Sequence, residues 1–295
     1  MPVSASPILV RVAHVPSLAL AFWRCLAGGL LLAPWALRAH RCMRRRALHP
    51  QTLGWAQWRW LLASGACLAL HFALFNASLA RTTVGSTAIL VNTSPLFVGL
   101  GGRLIGEPPS RRVWAGIALA SAGAAVVGTG DAASIALGPR ALLGDLMAFG
   151  GAVAFSGYLL LGRVLRQRLD APTYNSAVFG SAALVLLPAC LLTGASLGGY
   201  AGRSWLAVAA VVAGPQLLGH TVLNLLLSTV TAAVIAVVVL TEPVGATLLA
   251  WWLFHELPAA AFWAGAPLVL AGVWLCTAGG TPSGGSRPIR RAPID

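Results

Sequence analysis

Glu242 is the residue whose type and position most clearly suggest chemistry. It lies in the middle of a long apolar stretch, 230–254, and Pro243 follows it directly. An ionisable side chain deep in an apolar helix is costly and usually serves a function, while proline lacks an N–H and interrupts the helix at the same point. A carboxyl group there could take up a proton on one side of a membrane and release it on the other. The alternative is a glutamate that only bonds a neighbouring helix.

Two histidines occupy comparable positions in other apolar stretches. His71 and His220 each lie near the middle of such a stretch, and the asparagines Asn76 and Asn224 follow them. Histidine titrates near neutral pH, which suits substrate contact or proton transfer. Two opposed histidines could also ligate haem or a metal, and a third interpretation is a hydrogen bond to a neighbouring helix. Asn224 shares a helix face with His220, because residues four apart are neighbours on a helix.

A second proline interrupts an apolar stretch in the first half of the chain. Asn92 and Ser94 lie just before Pro95, and Thr241 lies just before Glu242 and Pro243. A broken helix is tolerated in a membrane when it is buried in protein or lines a cavity. We therefore expect the two broken helices to face each other and to line one site, with simple structural kinks as the alternative.

The remaining charged residues within or beside apolar stretches have less specific interpretations. Arg24 could bind a carboxylate substrate in a bidentate manner, extend to the outer membrane interface, or pair with Asp145. Glu107 and Glu256 precede prolines at the ends of apolar stretches, and we expect both to be solvated helix-end residues.

The elements that position these residues are membrane helices. Of the 295 residues, 58% are hydrophobic and 9% are charged, whereas a soluble domain carries roughly 25% charged residues. One membrane span takes about 20 residues, so the length allows ten spans joined by short loops. The first of these is too short for a complete span, so we expect a truncated first helix, with a short helix lying partly in the membrane interface as the alternative. The breaks in the apolar runs predict spans at 3–14, 17–37, 60–80, 83–105, 112–130, 140–162, 173–193, 205–227, 230–254 and 258–278.

The net charge of +13 predicts an orientation. All 20 basic residues are arginine; Arg11 and Arg24 lie within spans, and Arg81, Arg140 and Arg203 fall on one side of the predicted bundle. The other 15 fall on the opposite side, which also receives both termini, and an excess of positive charge marks the cytoplasmic side. The arginines therefore indicate both termini in the cytoplasm and not a nucleic-acid-binding surface.

The chain also contains an internal repeat. His71 and His220 are 149 residues apart, and the same offset relates four further pairs: Glu107 with Glu256, Trp114 with Trp263, Gly116 with Gly265, and Gly123 with Gly272. Five spans in each half place the halves in opposite orientations. Inverted repeats of this kind are typical of secondary transporters.

These segments resemble bacterial EamA-type transporters of the drug/metabolite transporter superfamily. The similarity extends from Ser4 to Thr277 and implies ten helices, cytoplasmic termini and export of small metabolites. It is carried by SLALAFWRCLAGGLLLAPWAL, TSPLFVGLGGRLIGEPPSRRVWAGIALASAG, GDLMAFGGAVAFSGYLLLGRVLR and LTEPVGATLLAWWLFHELPAAAFWAGAPLVLAG.

The sequence as a whole predicts an all-α polytopic membrane protein with ten transmembrane helices in two inverted five-helix repeats. The expected units are 1–130, 131–278 and a disordered basic tail, 279–295. No soluble-enzyme motif is present, the five cysteines form no metal-ligand pattern, and we expect neither enzymatic activity nor a cofactor or bound metal. The expected partners are a small-molecule substrate, membrane lipid and protons, with no nucleic acid, and the expected assembly is a monomer or homodimer. An uncoupled facilitator and an intramembrane His-ligated redox or haem protein are the alternatives.

Overall fold

The computed structural model describes residues 2–45, 54–130, 138–255 and 257–278, and all regular structure in these ranges is helical. A short 3-10 helix, Pro2–Ala5, begins the chain, and a π-helix, Val212–His220, lies between α9 and α10. The α-helices are α1 Ser6–Ala13, α2 Ser17–Arg45, α3 Trp55–Leu79, α4 Val84–Val91, α5 Ser94–Gly101, α6 Arg111–Gly130, α7 Pro139–Leu165, α8 Ala171–Leu192, α9 Gly202–Val211, α10 Thr221–Leu226, α11 Ala232–Val239, α12 Thr241–Phe254 and α13 Ala260–Ala278.

Eight segments of the described chain are long and apolar enough to cross a membrane. They are Ser17–Cys42, Gln57–Leu79, Arg111–Thr129, Pro139–Leu165, Ala171–Leu192, Gly202–Leu226, Ala232–Phe254 and Ala260–Ala278. Two of the ten expected spans are therefore not among them. The segment at 3–14 is short, as predicted, and the span expected at 83–105 is divided into α4 and α5. The tail at 279–295 lies outside the described residues.

The helix breaks occur beside the two prolines. Pro95 lies in the first turn of α5, where a missing N–H is tolerated, and the chain turns at Asn92 and Thr93 just before it. The Thr93 hydroxyl donates to the Leu90 carbonyl at 2.6 Å. Near Pro243, the Thr241 hydroxyl donates to the Val238 carbonyl at 2.7 Å. At each break a threonine hydroxyl thus donates to the carbonyl three residues earlier.

Helices α6 and α13, which the repeat relates, pack against each other through their glycines. A Cβ atom on Gly116 would lie 2.8 Å from the Gly272 carbonyl oxygen, and one on Gly123 would lie 2.7 Å from that of Gly265. The early glycine of one helix thus meets the late glycine of the other, so the helices run antiparallel. Small residues allow such close approach in membrane proteins. Antiparallel packing of matched helices is the relationship that inverted repeats produce.

Helix α2 packs along α8, and α3 lies against both α7 and α8. Gly29 permits the first of these contacts, because a Cβ atom there would lie 3.0 Å from the Gly180 nitrogen. Large apolar side chains from these helices fill the interior, and Tyr158 and Tyr174 are almost fully buried among them. This packing places Arg24, in the first third of α2, beside α3 and the π-helix.

Candidate functional site

Arg24 is buried in the interior of the helix bundle. Its side chain is 6% exposed, and its Nε donates to Oε1 of Gln216 at 2.8 Å. The guanidinium carbon lies 4.3 Å from the centroid of the Phe72 ring, within the range of a cation–π contact. The structure therefore places Arg24 against a neutral amide and an aromatic ring, and not at the outer interface.

The π-helix positions two polar side chains beside Arg24. Gln216 is completely buried and His220 is 5% exposed, and the π-helix that contains both of them has Pro215 in its interior. Proline removes an i−4 hydrogen bond and favours such irregular turns. Short π-helical segments occur frequently at functional sites.

The two histidines lie in one aromatic environment. The His220 ring centroid is 5.8 Å from that of Phe72 and 6.3 Å from that of Tyr158, and the His71 ring is 4.8 Å from that of Phe155. His71 is half-buried, and its Nδ1 lies 3.0 Å from the Gly151 carbonyl oxygen. A carbonyl can only accept, so Nδ1–H donates this bond and Nε2 remains available.

Glu242 is the second residue of α12 and is half-buried. Its carboxyl group interacts electrostatically with the Arg24 guanidinium, yet the described residues contain no ion pair between the two. Arg24 also interacts electrostatically with His71 and His220. We define Arg24, His71, Gln216, His220 and Glu242 as the central cluster. Glu242 and His71 are half-buried, so these two members of the cluster are not fully enclosed by protein.

Asn224 belongs to a buried hydrogen-bond chain behind His220. The Tyr158 hydroxyl donates to Oδ1 of Asn224 at 2.7 Å, and Nδ2 of Asn224 donates to Oδ1 of Asn175 at 2.6 Å. Asn175 in turn donates to the Ala171 carbonyl at 2.9 Å. All three side chains are buried. The chain fixes the position of Tyr158, whose ring contacts His220.

The other expected site residues lie apart from this cluster or serve the backbone. Asn76 donates to the Ser17 carbonyl at 3.1 Å and thereby links α3 to the start of α2. The Ser94 carbonyl accepts from Ser156 at 3.0 Å, and Asn92 ends α4. Thr241 bonds the carbonyl at its own helix break. The broken helix at Pro95 thus packs against α7, and its polar groups are used in packing.

The proposed Arg24–Asp145 pair is absent from the described residues. Asp145 instead accepts from the Ser86 hydroxyl at 2.6 Å, while Arg24 bonds Gln216. Sequence reasoning missed Gln216 of the central cluster and the adjoining aromatic residues Phe72 and Tyr158. A signal was available for Gln216, because a glutamine directly after proline within an apolar stretch is a polar residue that needs a partner.

Glu107 differs from the solvated helix-end residue that the sequence predicts. It is 16% exposed and forms a bidentate ion pair with Arg163, with Nη2 2.7 Å from Oε1 and Nε 3.0 Å from both carboxylate oxygens. Arg163 also donates to the Leu227 carbonyl at 2.7 Å. Glu256 lies outside the described residues. The ion pair ties the α5–α6 connection to α7 and to the end of α10.

Arg166 adds a second basic contact at this end of the bundle. It donates to the Asn224 carbonyl at 2.9 Å and to the Leu169 carbonyl. Burial lowers the pKa of its guanidinium from the ordinary value, and Asp170 opposes this shift. Together with Arg163, this residue links the end of α7 to backbone carbonyls of α10 and of the residue that follows it.

Comparison with known proteins identifies the family. The model of the EamA-like transporter family matches this chain twice, at residues 3–129 and 142–278. The chain belongs to the EamA-like transporter family. Its membership in the drug/metabolite transporter superfamily, expected from the sequence motifs, is thereby confirmed, and with eight apolar helices long enough to cross a membrane it is a multi-pass membrane protein.

Two curated relatives extend this result over most of the chain. An uncharacterized transporter of Archaeoglobus fulgidus is 25% identical over 260 residues, covering 88% of this chain and 87% of the relative. The uncharacterized transporter YwfM of Bacillus subtilis is 26% identical over 272 residues, covering 88% and 84%. A solved crystal structure is similar with a TM-score of 0.76 at 20% identity, covering 94% of this chain and 93% of that one. That likeness shows the fold.

Proposed function

We propose that this EamA-family member is a secondary transporter that exports a small metabolite, such as an amino acid or an amphipathic compound, by alternating access. The observation that supports this proposal best is the central cluster. A buried arginine, two histidines and a glutamate meet between helices of both repeats, where polar groups mark substrate or ion pathways in membrane proteins. A site at the interface of two inverted halves can open to either side as the halves rock.

Proton coupling is proposed to run through Glu242. This carboxyl is half-buried, lies at the start of a helix interrupted beside Pro243, and interacts electrostatically with Arg24. A change in the protonation of Glu242 changes the electrostatic potential at the Arg24 guanidinium. Proton binding is thereby coupled to the binding of a solute at Arg24. An uncoupled facilitator would use the same cluster without this link.

The proposed location is the bacterial inner membrane with both termini in the cytoplasm. Arginine placement supports this orientation, because 15 of the 20 arginines fall on the side assigned to the termini. A small solute, lipid and protons are the proposed partners, and nucleic acid is not among them. The proposed assembly is a monomer or a homodimer.

The test uses the purified chain in liposomes that contain a pH-sensitive dye. Individual amino acids and small amphipathic amines and acids are added, and the experiment records both counterflow of labelled solute and movement of protons. We expect a transported solute to move protons in the wild type. In Glu242→Gln we expect proton movement to cease while counterflow continues.

The outcomes separate the two parts of the proposal. Unchanged solute-driven proton movement in Glu242→Gln would contradict coupling through this residue. Counterflow without proton movement in the wild type would identify a facilitator. Absence of counterflow for every solute, in protein shown to be folded, would contradict transport of this solute class. Asp145→Asn serves as the control, because it removes another membrane-embedded carboxyl that bonds only Ser86 among the described residues.

A further inference from the structure

The hydrogen-bonding capacity of Arg24 is largely unused. A guanidinium group has five N–H donors, and within the described chain its one hydrogen bond goes from Nε to the neutral Gln216 oxygen. Buried charges are normally paired with an opposite charge and fully hydrogen-bonded. Glu242 influences Arg24 electrostatically without forming an ion pair in the described residues. The two terminal nitrogens therefore have capacity for an acceptor that the protein itself does not supply.

Two further buried polar atoms lie unpartnered beside this group. Nε2 of Gln216 and Nδ1 of His220 have no hydrogen-bond partner among the described residues, although Gln216 is fully buried and His220 is 5% exposed. Arg24 can only donate, so Gln216 must present its oxygen to Arg24, and its two N–H hydrogens are left. Buried donors without partners are rare, and each one calls for an explanation such as an unoccupied ligand position.

We propose that Arg24, Gln216 and His220 form the binding site for a carboxylate group of the transported solute. The carboxylate accepts from the terminal nitrogens of Arg24, from Nε2 of Gln216 and from His220 Nδ1 in its N–H form. A planar guanidinium matches a carboxylate in geometry and charge. This inference rests on the proposed transport function and specifies the chemical class of the solute.

The surrounding rings define the rest of the ligand. Phe72 lies under the guanidinium, and Phe155 and Tyr158 continue the aromatic surface, with ring centroids 5.9 Å apart. These faces offer apolar contact and cannot replace the water of a strongly hydrated inorganic anion. The favoured ligand is a small organic acid with an apolar or aromatic body.

The backbone beside Gln216 leaves room for this arrangement. Gly28 lies one helical turn after Arg24 on the same face of α2. A Cβ atom on Gly28 would lie 3.0 Å from Cγ of Gln216 and 3.7 Å from Nε2. A side chain at position 28 would press on Gln216, which would have to shift by a few tenths of an ångström.

The test measures ligand binding to the whole chain in nanodiscs of phosphatidylcholine. The probes are acetate, benzoate and phenylacetate, each compared with its neutral amide: acetamide, benzamide and phenylacetamide. The midpoint of thermal unfolding is followed against probe concentration, because a ligand that binds only the folded state raises it. We expect at least one carboxylate to bind the wild type about tenfold more tightly than its amide.

The decisive variant is Gln216→Glu, which has nearly the same shape as the wild type and supplies a carboxylate to Arg24 from within the protein. We expect the tenfold preference to fall to about onefold, because the internal carboxylate occupies the guanidinium. Gln57→Glu makes the same chemical change at the start of α3, away from the cluster, and keeps the preference. If Gln216→Glu does not fold, Arg24→Gln replaces it, with Arg140→Gln on the exposed end of α7 as its control.

Two results would overturn the inference: equal binding of all three carboxylates and their amides by the wild type, or an undiminished preference in Gln216→Glu. The liposome experiment distinguishes these from failure of the proposed function. If carboxylates bind with the expected preference but undergo no counterflow, the proposed transport is contradicted and the proposed binding site still stands. If other solutes undergo counterflow but binding shows no preference for carboxylates, the proposed carboxylate site is contradicted and the proposed transport still stands.

Discussion

Nε of Arg24 lies 2.8 Å from Oε1 of Gln216, although the two residues are 192 positions apart in the chain. This bond joins the second predicted span to the eighth and so connects the two EamA repeats at the point where the polar groups gather. The neutral amide orients the guanidinium without neutralising it. The remaining N–H donors of Arg24 can therefore bind the carboxylate group of the proposed solute.

Gly28 tests the importance of this orientation. In Gly28→Ala the new methyl group would lie 3.0 Å from Cγ of Gln216 and 3.3 Å from Cδ2 of Phe179, so the amide must shift. We expect solute affinity to fall several-fold, measured as the half-saturating concentration in counterflow. Gly180→Ala is the matched control on α8, because a Cβ atom there meets no atom within 4 Å. Equal affinities in the two variants would show that the position of Gln216 is unimportant.

Gly123 tests the contact between matched helices. A Cβ atom at this position would lie 2.6 Å from the Val269 nitrogen, and backbone atoms cannot move aside as a side chain can. We expect Gly123→Ala to reduce the free energy of unfolding by about 1–3 kcal/mol, as overpacking does. Thermal unfolding in detergent measures this. Gly150→Ala, which meets only the end of Leu74 at 3.1 Å, should change stability far less, and the reverse order would contradict the packing.

Tyr158 tests the buried hydrogen-bond chain. Tyr158→Phe removes the donor to Asn224 and leaves a buried acceptor without its partner. The expected loss in the free energy of unfolding is about 1–3 kcal/mol. Tyr200→Phe, in the α8–α9 loop, should cost less than about 0.5 kcal/mol. A neutral effect of Tyr158→Phe would mean that water satisfies Asn224 in the folded protein.

Substitution of Glu107 and Arg163 tests the buried ion pair that ties the α5–α6 connection to α7. Glu107→Gln leaves a buried arginine with one charged partner fewer, and Arg163→Gln removes the other half. A double-mutant cycle on thermal unfolding should give a coupling free energy of about 1–3 kcal/mol. Coupling near zero would indicate a screened surface pair. Arg140→Gln, whose contact with the Ala80 carbonyl is exposed, provides the single-charge control.

Local features of this chain were predictable from sequence, and contacts between helices were not. Pro95 and Pro243 predict the helix breaks, because a proline without an N–H removes a hydrogen bond within its own helix. Matched glycines likewise predict a close helix contact. The π-helix at Val212–His220 contains Pro215, which signals a local irregularity. The proline alone does not distinguish a π-helix from a simple kink.

The partners of the charged residues were likewise not predictable from local sequence. Asp145 seemed a suitable partner for Arg24 by depth alone, yet the rotation of α7 directs Asp145 to Ser86 instead. Glu107 looked solvated because it ends an apolar stretch, but the fold brings Arg163 to it from a helix 56 residues away. Depth along a span can be inferred from sequence, whereas the direction that each helix face points is set by the assembled bundle.

The most direct test of the proposed transport measures whether the central cluster can be reached from both sides of the membrane. His71→Cys is made in a chain whose five native cysteines are replaced by alanine, and reconstituted protein is exposed to a membrane-impermeant thiol reagent from each side in turn. Leu184→Cys on the exposed face of α8 serves as the lipid-facing control. We predict labelling of the His71→Cys thiol from either side, with loss of counterflow, and little labelling of the control. Labelling from one side only, or full counterflow after labelling, would contradict alternating access to this cluster.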